Sequence, residues 1–128
     1  MSLHEYIERV RSGLQTFDDY GLSEQIDYSA DIRPGSQAVL KATVTFIDNS
    51  QLYIREFLVG QDHIRHVSYA YQYQEQDGTL IFRYDNAKHR PPLGFEQHKH
   101  NADGNIVAAP LPEIEALVLE VLDYISRS

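Results

Sequence analysis

The stretch QAVLKATVTFIDNSQLYIREFLVG, Gln37 to Gly60, decides the fold. Ala38, Leu40, Ala42, Val44 and Phe46 alternate with Gln37, Lys41, Thr43 and Thr45. A period of two puts one apolar row on one face of an extended segment, the pattern of a half-buried strand. Asp48-Asn49-Ser50 follows, a run whose side chains hydrogen-bond local backbone in tight turns. Gln51 to Val59 is the next strand. A connection this short joins antiparallel neighbours, because a parallel pair needs a crossover of a dozen or more residues.

The same reasoning extends outward in both directions. Gly60-Gln61-Asp62 is a second tight connection, and His63 to Gln74 a third long strand with Val67, Tyr69, Tyr71 and Tyr73 on one face. Asp77-Gly78 is a strong hairpin signal leading into a strand from Thr79 to Asp85. Upstream, a short strand covers Gln25 to Asp31 and ends at Arg33-Pro34-Gly35. Ser2 with Glu5 three positions on matches a helix-starting capping box, and Leu3, Tyr6, Ile7, Val10 and Leu14 form one apolar stripe behind it. After Asp85 the alternation stops. Pro91-Pro92 and Gly94 predict an irregular loop through to about Pro110. Pro112 stands where a first helical residue belongs, and Ile114, Leu117, Val118, Val121, Leu122 and Ile125 make a wide stripe on a closing helix. The fold class is α+β: a curved antiparallel β-meander of about five strands, with N- and C-terminal helices on one face.

A chain of 128 residues fits a single domain, 1–128, with no length left for a second core. The absence of cysteine excludes disulfides, thiolate zinc sites and a cysteine nucleophile. No apolar run reaches the ~20 residues of a membrane span, and the charged N-terminus does not fit a secretory signal, so a cytoplasmic location is expected. The net charge of −8 argues against generic nucleic-acid binding.

Charge is unevenly distributed. LIFRYDNAKHRPPLGFEQHKH, Leu80 to His100, holds Arg83, Lys88, Arg90 and Lys99 against Asp85 and Glu96, while the rest of the chain carries 7 basic and 17 acidic residues. Three of the six histidines, His89, His98 and His100, lie in this basic island. It suits an anionic ligand, proton transfer or a metal. On the strand, Arg83 and Asp85 share a face, either as a structural pair orienting the loop or as a functional one. In the functional reading Arg83 contacts a phosphate or stabilises developing negative charge, with Asp85 orienting it or a histidine. If residues 98–100 are extended, both imidazoles point one way and Lys99 the other.

Three readings of the histidines stay open. In the first, His98 and His100 act as general base and acid on a phosphodiester, with Arg83 and Lys99 on its oxygens, a metal-independent ribonuclease needing no cofactor. In the second, His98 and His100 ligate a divalent metal, with His89 or Asp85 completing the set. In the third, the histidine-rich 88–100 loop has only a structural or partner-contacting role. Asn86 fits local backbone hydrogen bonding or binding beside His89. The tyrosines fit the core, although Tyr71 and Tyr73 on an exposed face would stack RNA bases. An uncovered sheet edge or tyrosine face would also provide a homodimer surface.

Tyr69-Ala70-Tyr71-Gln72-Tyr73-Gln74, Asp77-Gly78, the run Leu80 to Ala87, His89, Phe95 and His98-Lys99-His100, in this order and spacing, resemble the TumE family of small bacterial toxins from toxin–antitoxin pairs. The resemblance covers about half the chain, from roughly Ile54 to His100. It implies a toxin silenced by a cognate antitoxin protein, usually of the helix-turn-helix type. Gln72, Arg90 and Gln97 depart from the family pattern, standing where histidines are expected. RNA or the ribosome as target is an expectation from the His, Arg and Lys inventory and from analogy with other small toxins. The alternative is a non-enzymatic interaction module, an inactive toxin homologue acting through the 88–100 loop.

Overall fold

The computed structural model describes residues 1–60 and 62–127. Its elements run α1 (Leu3–Asp19), β1 (Ser23–Arg33), β2 (Gln37–Phe46), β3 (Gln51–Val59), β4 (Arg65–Gln74), β5 (Leu80–Asp85), β6 (His98–Asn101), β7 (Ile106–Ala108) and α2 (Ile114–Arg127). The strands form one antiparallel sheet in consecutive order, β1 to β7. The architecture is the α+β meander with terminal helices that the alternation implies. Gln61, in the expected connection between β3 and β4, lies outside the described residues.

The capping box is present. The Ser2 hydroxyl accepts from the Glu5 N–H at 3.1 Å, and the Glu5 carboxylate accepts from the Ser2 N–H at 3.2 Å. Leu3, Ile7, Val10, Leu14 and Phe17 are the buried face of α1. They meet the alternating rows of β2 and β3 and the Ile114, Leu117, Val118 and Val121 face of α2 in one core. Gly13 lets the two helices touch, since a Cβ there would stand 2.7 Å from Ile114 Cγ1. The α2 helix begins at Ile114, with the Glu113 carbonyl accepting from the Leu117 N–H at 3.0 Å, so Pro112 precedes the helix rather than opening it.

Three expectations need correction. The meander has seven strands among the described residues, because β6 and β7 lie inside the segment expected to be irregular. HKHN in β6 carries no apolar residue, so periodicity is silent there and backbone pairing with β5 makes the strand. The first strand runs further at both ends than Gln25 to Asp31. Val67 does not share the face of Tyr69, Tyr71 and Tyr73. The register shifts between Phe57 and Leu58, whose partners are Ser68 and His66, so an extra residue at Val67 reverses the phase. Val67 is exposed, and His66 takes its place towards the core.

Candidate functional site

The register of β5 and β6 pairs Arg83 with His100, Tyr84 with Lys99 and Asp85 with His98. Directly paired residues share a face in an antiparallel ladder. Tyr84 and Phe82 point into the core beneath α2, so Arg83, Asp85, His98 and His100 stand on the opposite face. The segment between β5 and β6 folds back over them. Its His89 ring lies 4.6 Å from that of His98 and 5.5 Å from that of His100, and Phe95 lies 6.3 Å from His98. Under this cover His98 is only 1% exposed and Asp85 3%.

Asp85 is the centre of the cluster. Its Oδ2 accepts from Arg83 Nε at 2.6 Å and lies 3.4 Å from His100 Nε2, and its Oδ1 lies 2.8 Å from His98 Nδ1. The Ala87 N–H donates to the same Oδ1 at 3.3 Å. Arg83 also donates through Nη1 to Gln72 Oε1 at 2.7 Å, leaving Nη2 without a protein partner among the described residues. His98 Nε2 lies 2.9 Å from the Ala87 carbonyl. A carbonyl only accepts, so that nitrogen carries a proton. Burial holds the His100 imidazole below its ordinary pKa; Asp85 opposes this, while His98, His89 and Arg83 add to it.

The remaining sequence-predicted residues stand elsewhere. Lys99 points to the helix side, where Nζ pairs with Glu120 Oε2 at 2.6 Å, Tyr84 donates to the other Glu120 oxygen, and the ammonium lies over the Phe82 and Tyr84 rings. It ties α2 to the sheet and is not beside the imidazoles. Tyr71 and Tyr73 are buried under the helices, so neither presents a ring face for a base. Asn86 clamps the exit of β5 onto β4, accepting from the Tyr69 N–H and donating to the Val67 carbonyl at the bulge.

Sequence reasoning missed a second polar constellation. Glu56 lies on the core face of β3 between Ile54 and Leu58 and is wholly buried. Its Oε1 accepts from Tyr6 at 2.7 Å and from Tyr71, and lies 3.2 Å from His66 Nε2; Tyr6 and His66 are 2.8 Å apart. Burial, then the Glu56 charge, push the Tyr6 and Tyr71 hydroxyls far above the ordinary phenol range. A carboxylate in an otherwise apolar row was the available signal. The bulge at Val67 turns His66 towards this group, a change of face that strict alternation does not reveal. This group borders a cleft of about 1020 Å³ lined by Tyr6, Arg9, His66, Tyr69 and Gln97, which does not include the Asp85 cluster.

A meander capped by two helices, with Arg83, Asp85, His98 and His100 gathered on the face away from them, defines a small α+β protein. A family model described as Toxin TumE matches residues 14–128, nearly the whole chain. The chain belongs to the TumE toxin family. No curated protein and no solved structure gives a significant match.

Proposed function

We propose that this toxin cleaves RNA phosphodiesters at the cluster of Arg83, Asp85, His89, His98 and His100, and that a cognate antitoxin silences it in the resting cell. The observation that carries the reading is the convergence of three imidazoles and a guanidinium on one buried carboxylate. Asp85 and Gln72 hold Arg83 by two of its nitrogens, so the free Nη2 meets a phosphate oxygen in fixed orientation. His100 and His89 are only partly buried and are the rings that reach substrate, as acceptor of the 2′-hydroxyl proton and donor to the leaving oxygen. His98 is enclosed and acts as a positioning residue. Lys88 and Arg90, exposed on the covering loop, supply the local positive charge that an acidic protein needs to hold RNA.

The test is induced expression in a bacterial host, wild type beside Arg83→Ala and His100→Gln, with total RNA examined from each culture. Growth arrest with RNA fragmentation in the wild type alone supports the reading. Arrest with intact RNA, or equal toxicity in both variants at matched expression, rejects it. The second reading, a non-enzymatic module binding through the 88–100 loop, rests on the exposure of Lys88, Arg90 and Pro91 there. It predicts instead that histidine identity is immaterial.

A further inference from the structure

We propose that Asp85, His89, His98 and His100 bind one divalent transition-metal ion. The inference concerns the cluster of the proposed function, but its evidence and its readout do not involve RNA.

His98 and Asp85 are mismatched as they stand. His98 donates through Nε2 to the Ala87 carbonyl, so in a neutral ring Nδ1 carries a lone pair. That lone pair faces a carboxylate oxygen 2.8 Å away. Protonating Nδ1 does not cure this, because Asp85 Oδ1 lies off the line the ring N–H would take, and Nδ1 has no hydrogen-bond partner despite being buried. His100 Nε2 is in the same position, buried, unpartnered and 3.4 Å from the other Asp85 oxygen. Two buried imidazole nitrogens converge on one carboxylate without bonding to it. A cation among the three groups resolves the misfit, as lone pairs and carboxylate then point at one positive centre.

The dimensions agree. Ligand atoms 2.0–2.1 Å from a shared ion stand about 2.8 to 3.4 Å apart, from a right angle to a tetrahedral one. The two Asp85–imidazole separations, 2.8 and 3.4 Å, fall at the ends of that range. One atom from each of the four residues lies within 4.8 Å of all the others, so small side-chain rotations bring the set into contact. The surroundings also suit ligation. A metal-bound imidazole is characteristically held by a backbone carbonyl on its other nitrogen, as Ala87 holds His98, and a ligating carboxylate by further donors, as Arg83 and the Ala87 N–H hold Asp85. Three imidazoles with one carboxylate is a borderline nitrogen-rich set, suited to zinc, cobalt or nickel and poorly suited to magnesium or calcium. Strand pairing fixes three ligands, and the covering loop brings the fourth, His89. When loaded, the ion would take over the task of acidifying a nucleophile that free imidazole performs without it.

The experiment is cobalt(II) titration of the full chain, carrying no histidine tag, followed by visible absorption, with zinc(II) as competitor. The expected result is one ion per chain with the intense d–d bands of a low-coordinate site, displaced by zinc. His98→Gln and Asp85→Asn should abolish those bands. Because either change in the buried pair can disturb folding, His89→Ala is the decisive variant. It alters the loop alone and should weaken cobalt affinity at least about tenfold while far-ultraviolet circular dichroism stays that of wild type. His4→Gln, on the exposed side of α1, should bind as wild type does. Absence of binding to folded wild-type protein overturns the proposal. So does weak binding with a six-coordinate spectrum, or binding unchanged in His89→Ala and His98→Gln. Loss of RNA cleavage as a function does not affect these readouts, and failure to bind cobalt does not by itself remove the ribonuclease reading.

Discussion

Replacing Tyr71 by Phe removes one hydroxyl from the centre of the molecule and leaves the ring packed between Tyr69 and the core. Tyr71 is 1% exposed and its hydroxyl donates to Glu56, which is itself wholly buried. After the change Glu56 keeps Tyr6 at 2.7 Å and His66 at 3.2 Å but loses its most enclosed donor. A hydrogen bond to a charged group is worth about 1.5–3 kcal/mol, and no methylene is removed, so a cavity adds little. For 128 residues each kcal/mol moves Tm by roughly 4 °C, so a fall of roughly 6–12 °C is expected. Urea denaturation should show a lower midpoint with an unchanged slope. The same substitution in a Glu56→Gln background should cost only about 0.5–1.5 kcal/mol, because an amide oxygen accepts a neutral bond. A Tm within about 2 °C of wild type for Tyr71→Phe, or equal losses in both backgrounds, would refute the claim that Glu56 is held by charge-assisted bonds.

Lys99→Met should lower stability by about 1 kcal/mol, read by urea denaturation, since its partly exposed pair with Glu120 is screened by solvent; toxicity at matched expression should stay, because Lys99 is on the helix side of the sheet. Loss of toxicity from a folded Lys99→Met protein would return it to the site. Alkaline titration tests the buried tyrosines. Burial raises Tyr28 and Tyr73 to about 12, and lifts Tyr6 and Tyr71 well above the ordinary phenol range. Folded pKa values above the unfolded value of about 10 mean their contribution is complete below pH 10 and lost as pH rises through the folded values. Tyrosinate absorbance should therefore show a late group of four or more among the nine tyrosines, ionising together with loss of near-ultraviolet dichroism. Nine tyrosines titrating near pH 10 in a folded protein would contradict the burial described.

Where side-chain chemistry alternates, the fold was legible. The rows of β2 and β3, the Asp48 and Asp77 turns and the two apolar helix stripes each stand where periodicity puts them. β6 was not legible, because His98-Lys99-His100-Asn101 has no apolar member and its extension comes from pairing with a strand that ends thirteen residues earlier. Yet the consequence of an extended 98–100, imidazoles on one side and Lys99 on the other, followed from strand geometry alone. His66 was hidden for a different reason. A single bulged residue at Val67 reverses the face of everything before it, and nothing in HVSYAY announces the bulge. Proximity of His89 to the cluster depends on how the Asn86–Gln97 segment folds back, and irregular backbone carries no period from which to read it.

The most direct test of the proposed activity is cleavage of a short single-stranded RNA by the purified full chain, with and without added zinc, beside Asp85→Asn and His100→Gln proteins whose circular dichroism matches wild type. Cleavage by the wild type is expected, falling at least about a hundredfold in both variants, the scale of losing a positioned acid–base group. Equal cleavage by all three, or an intact RNA under every condition with folded wild-type protein, would contradict it.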